Sequence, residues 1–166
     1  MSYIVVFFLM VIATLLQNSI VNQVSMLYGS ADLVLLVLIT WMLQSDEKQY
    51  WVVGGFAGFL IGLSSALPIW LPIIEYLAVV AMVTFFQRRV WQVPIWLLLT
   101  TTIISTGFIY GIELLYLSLE GAVFNFTDAF NLLMLPSIVL NLILSLPMYG
   151  VVGEITKLLY PEKVEV

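Results

Sequence analysis

The chain has 166 residues, 63% of them hydrophobic and only 9% charged, with a net charge of −5. A soluble domain carries about 25% charged residues, so this composition, with a mean hydropathy of +1.13, predicts an integral membrane protein with little mass outside the bilayer. Five basic residues are too few for a nucleic-acid surface, and without Cys or His the chain has no thiol, disulfide, imidazole or zinc chemistry; no cofactor is expected.

The apolar segments predict an all-α fold in a single transmembrane domain over 1–166, with six spans at about 2–20, 31–45, 50–66, 71–87, 94–119 and 131–158. The first lacks the basic start of a secretory signal peptide and reads as a retained helix. A polar connection follows, ending at Tyr28-Gly29-Ser30. Asp32 opens the second segment, placed to cap its N-terminus. Only 13 uncharged residues separate Asp32 from Asp46, which is short for a crossing of roughly 30 Å. If that segment crosses, there are six spans with both termini cytoplasmic; if it does not, there are five and the N-terminus lies outside.

The third segment holds Gly54, Gly58 and Gly62 at four-residue spacing, so all three share one helix face and admit another backbone closely. That face has two open readings: packing within the chain, or a surface for a partner's helix. The fourth segment follows the turn Leu67-Pro68-Ile69-Trp70-Leu71-Pro72 and ends in Gln87-Arg88-Arg89, whose arginine pair has two readings, a plain helix-end anchor or a contact for anionic lipid. The fifth starts at Trp91 and Pro94 and carries Gly107 and Gly111. The connection Glu120 to Asp128 includes Asn125-Phe126-Thr127, a glycosylation tripeptide of a kind common by chance. The sixth segment has no charge between Asp128 and Glu154, yet contains Pro136, Asn141, Pro147, Gly150 and Gly153. Proline frees backbone carbonyls and a buried Asn needs partners, so this helix belongs in a bundle with one side against protein.

The basic residues fix an expected topology. Lys48, Arg88 and Arg89, and Lys157 and Lys163 are separated by two spans each, so all fall on one side, the cytoplasmic one by the positive-inside rule. Trp41, Trp51, Trp91 and Trp96 would form the inner interfacial belt. Three acids, Asp32, Glu75 and Glu113, then gather in the outer half of the bundle with no cation. An ionised carboxylate is costly there unless protonated, paired or facing a wet cavity. Two readings are open: a site for a cation or a partner's basic residue, or acids satisfied by neighbouring Ser, Thr, Asn and Gln. No nucleophile, metal set or phosphate-binding loop accompanies them, so no enzyme is expected.

Several features together resemble the bacterial rod-shape-determining MreD family over nearly the whole chain. They are Ala31-Asp32-Leu33 opening the second helix, Gly55-Phe56-Ala57-Gly58 in the third, Gln87-Arg88-Arg89 ending the fourth, Glu113 in the fifth, and Leu135-Pro136-Ser137 with Asn141 and Pro147 in the sixth. The family often has an Asp about where Ser64 or Ser65 stands here, and any role of that acid does not carry over. The resemblance implies a non-enzymatic adaptor of the cell-elongation machinery in the inner membrane. Its implied partners are the bitopic protein MreC, the actin-like MreB, and the glycosyltransferase and transpeptidase that build peptidoglycan. It also implies the fold of the substrate-binding (S) components of energy-coupling-factor vitamin transporters, which supplies the alternative function. Those components dock through an Ala-x-x-x-Ala motif in the first helix, and Ala13 has no such companion.

Overall fold

The computed structural model describes residues 2–19, 29–45, 50–89 and 94–159. The polar connection before Gly29, the charged turn Asp46-Glu47-Lys48, Trp91 and the charged tail with Lys163 lie outside the described residues. The described chain is helical with no strand: α1 Ser2–Ser19, α2 Leu33–Gln44, α3 Tyr50–Ser64, α4 Trp70–Arg89, α5 Pro94–Leu119, α6 Phe126–Ala129, a π-helical segment Phe130–Met134, and α7 Leu135–Leu159.

Three helical stretches are long and apolar enough to cross a membrane: Trp70–Arg88, Pro94–Leu119 and the continuous run Phe126–Leu159. The last is 34 residues, about 51 Å at 1.5 Å per residue. It starts five residues before the expected span at 131. Asn125 causes the early start, because its side chain accepts from Thr127 N and caps the new first turn. Helices α1 to α3 are apolar but shorter.

The centre of the bundle is α2, and it is enclosed. Every residue from Leu33 to Met42 is buried, and α1, α3, α4, α5 and α7 all pack against it. A helix apolar on all sides suits such an interior. Trp41, expected in an interfacial belt, is wholly buried within the bundle, whereas Trp51 and Trp96 are exposed. Its place on a fully enclosed helix overrides the aromatic preference for an interface.

Around α2 the pattern is inverted relative to a soluble protein. The buried residues of α7 are Ser137, Asn141, Ser145, Val152 and Thr156, one face at helical spacing. Those of α5 include Thr101, Thr102, Ser105 and Thr106. Large apolar side chains such as Val139, Ile143 and Leu146 point outward. Lipid is as apolar as leucine, so the bundle gains by turning small and hydrogen-bonding residues inward.

Side-chain contacts show that consecutive long helices run in alternating directions. Gln17 near the end of α1 meets the start of α2, Gln87 near the end of α4 meets the end of α2, and Thr156 of α7 meets Gln44 of α2. Arg88 and Lys157 therefore share one end of the bundle, and Asp32, Glu75 and Glu120 share the other.

Candidate functional site

The site is built at the entry to α2. Gly29 and Ser30 run across the first turn of α7, and a Cβ on Gly29 would stand 2.6 Å from Pro136 Cβ and 2.9 Å from Ser137 N. Only glycine permits that approach. It lets Ser30 N donate to Ser137 Oγ at 3.0 Å and Asp32 N to Asn141 Oδ1 at 2.8 Å.

Asp32 caps α2, as its position predicts: Oδ1 accepts from Leu35 N at 2.9 Å. Its Oδ2 accepts from the Tyr76 hydroxyl of α4 at 2.6 Å. Asn141 spends its other end on α5, donating from Nδ2 to Thr106 Oγ1 at 3.0 Å. Ser137 Oγ donates to the Tyr110 hydroxyl at 2.8 Å, which also lies 3.3 Å from Ser30 Oγ. From α1, Gln17 Oε1 accepts from Leu33 N at 2.9 Å. One connected network thus ties α1, α4, α5 and α7 to the first turn of α2. Both oxygens of Asp32 and both ends of the Asn141 amide are occupied, so this hub acts as a staple.

Among the expected residues, Asp32, Pro136 and Asn141 belong to the hub. Pro136 has no N–H, and the ladder ahead of it runs in π register, with Leu135 N bonding Phe130 O. Pro147 lies inside α7 on its exposed side, at the other half of the helix. Near that half, Gln44 Nε2 donates to Tyr149 O at 2.8 Å, and Gly153 leaves the room that Gln44 Oε1 needs, 2.7 Å from where a Cβ would stand.

The glycine face is filled from within the chain. A Cβ on Gly58 would stand 2.6 Å from both Ile73 Cα and Pro72 O of α4. Gly54 faces Val80 and Gly62 faces Ile69 in the same manner. Gly111, by contrast, has nothing within 4 Å of its Cβ position and borders a groove of about 520 Å³, with Phe130, Asn131 and Met134 across from it.

The remaining acids behave differently from Asp32. Glu75 is 1% exposed, and its Oε1 is enclosed without a hydrogen-bond partner. Glu113 is half-buried on α5. Glu75 stands one residue before Tyr76 and Glu113 three residues after Tyr110, the two tyrosines that tie α4 and α5 to the hub. Among the described residues no three acids converge tightly enough to hold a metal ion.

Sequence reasoning missed Tyr76, Tyr110, Thr106, Ser30 and Gln17. Their signal was present but diffuse: each is a hydrogen-bonding residue in or beside an apolar span, and a lone Tyr or Thr there reads as ordinary. The fold and site define a helical membrane bundle with an internal polar staple. The chain matches no protein-family model, no curated protein and no solved structure.

Proposed function

We propose that the chain is a non-enzymatic adaptor of the bacterial inner membrane, of the MreD kind. In this reading it crosses the membrane six times with both termini cytoplasmic. It holds an MreC-like bitopic protein and, through it, the actin-like MreB and the peptidoglycan glycosyltransferase and transpeptidase of the elongation machinery. The observation that carries the reading is the hub. Two of the residues behind the resemblance, Asp32 and Asn141, stand more than a hundred positions apart, and Asp32 N donates to Asn141 Oδ1. This contact supports the reading. Among the described residues, Arg88 and Lys157 stand at one end together with Glu154, and Asp32, Glu75 and Glu120 at the other, which supports the proposed orientation.

Such an adaptor works through surface rather than chemistry. Because α4 already fills the glycine face, partner contact is assigned to the outward faces of α5 and α7. Purification of the tagged protein from native membranes, followed by mass spectrometry, tests the reading. The expected co-purifying species are a single-span protein and wall-synthesis enzymes. Recovery with an ATPase-linked transducer and a retained water-soluble ligand would overturn it in favour of the S-component alternative.

A further inference from the structure

The hub satisfies Asp32 but leaves its neighbours unmatched. Glu75 precedes Tyr76, which donates to Asp32 Oδ2, and it sits about 140–160° around α4 from Val80 and Ile73, the residues that meet α3. Glu75 therefore points away from α3, into the interior shared with α2 and α5. On α5, Glu113 follows Tyr110 by three residues, so it stands about one turn beyond the hub on nearly the same face. Glu113 is partly exposed. No Lys or Arg among the described residues is at this end of the bundle, and the described ion pair, Lys157 with Glu154, is exposed at the other end.

We propose that Glu75 and Glu113 form a receptor for an alkylammonium group supplied from outside the chain. The enclosed, unpartnered Oε1 of Glu75 is the principal acceptor and Glu113 the second, while Asp32 keeps its own oxygens bonded within the hub. A bare metal ion does not suit the site, because the acids do not close around a point. A guanidinium suits it less than an ammonium, since its planar fork favours two oxygens of one carboxylate, whereas here the acceptors come from two helices. An ammonium donates three separately directed hydrogen bonds. The group can come from a soluble amine or from the headgroup of phosphatidylethanolamine. This site stands or falls independently of the adaptor reading.

The test uses the full chain in phosphatidylglycerol nanodiscs and dicyclohexylcarbodiimide, which modifies carboxyl groups in apolar surroundings, with labelling of Glu75 read by peptide mass spectrometry. Label is expected at Glu75 in discs without amine, with a several-fold loss of total reaction on adding methylammonium, the N-methylamide formed when amine displaces the urea from the activated carboxyl being counted as reacted Glu75. Tetramethylammonium carries the same charge without N–H donors and should not protect. The less buried Glu113→Gln variant, checked for an unchanged melting transition without amine, should weaken methylammonium protection several-fold. Methylammonium should also raise the melting temperature of the parent chain more than that of this variant. Discs containing phosphatidylethanolamine separate the sources: protection without added amine assigns the site to the lipid, and unprotected Glu75 there assigns it to a soluble amine. The proposal is overturned if Glu75 takes no label without amine, or if neither amine nor lipid protects. Equal protection by tetramethylammonium, or undiminished protection in Glu113→Gln, would overturn it as well.

Discussion

Asn141 is a side chain whose loss strands two polar groups, one backbone and one side chain. Replacing it with Leu leaves Asp32 N and the Thr106 hydroxyl without the partners they have at 2.8 and 3.0 Å. An unsatisfied buried group costs about 1–3 kcal/mol, while measured hydrogen bonds within membranes average about 0.6 kcal/mol. Asn141→Leu should therefore destabilise the bundle by about 1–2 kcal/mol, read as a lower melting temperature in detergent. Asp32→Asn keeps a capping oxygen and should lose less than Asp32→Ala, which removes both the cap and the acceptor for Tyr76; equal losses would show that the carboxamide cannot replace the carboxylate. Glycines offer a second contrast. Gly58→Ala drives a methyl against the backbone of Pro72 and Ile73 and should cost about 1–3 kcal/mol, the usual range for overpacking. Gly111→Ala meets open space and should be neutral or stabilising by up to about 1 kcal/mol, the helix-propensity gain. Parallel thermal melts of the two variants decide both.

At the scale of elements, α2 reads poorly from sequence and α7 reads well. The helix at α7 announces itself by length, and Pro136 and Asn141 signal that one side meets protein, which Ser137, Asn141, Ser145 and Thr156 bear out as its buried face. The start of that helix was misplaced because a single cap, Asn125, adds turns that hydropathy does not register. The 12 residues of α2 look too few for a span, and hydropathy cannot say that five helices enclose them. Tyr76 and Tyr110 were invisible as hub members because their importance lies in register between helices, which no single segment encodes. The other end of α2 has its own ties: Gln87 Nε2 donates to Met42 O at 2.7 Å, and Gln44 bonds Tyr149 O. Gln44→Leu should loosen that end selectively. Amide hydrogen exchange is expected to rise around Tyr149 to Thr156 while the residues near Asp32 stay protected.

For the whole molecule, the absence of native cysteine makes orientation measurable without background. A cysteine placed at Gly121 should react with an impermeant maleimide added to intact cells, and one placed at Lys157 should react only after the membrane is opened. The opposite pattern would invert the proposed topology. Gly121 suits the purpose because it lies in the α5–α6 connection with nothing within 4 Å of its Cβ position, although its φ of +85° makes the backbone there slightly strained for other residues.

The enclosure of α2 also constrains how the protein is made. At about 18 Å this helix is shorter than the hydrocarbon layer of roughly 30 Å, so its terminal amides and carbonyls depend on Gln17, Asn141 and Gln87 for partners. Two of those three residues are translated after α2 has left the ribosome. During synthesis α2 is therefore an orphan awaiting its walls, and the bundle closes only when the final helix arrives. A chain terminated before Leu135 should be cleared by membrane proteases far faster than the full-length chain in a pulse-chase experiment, even though its first five helices are intact.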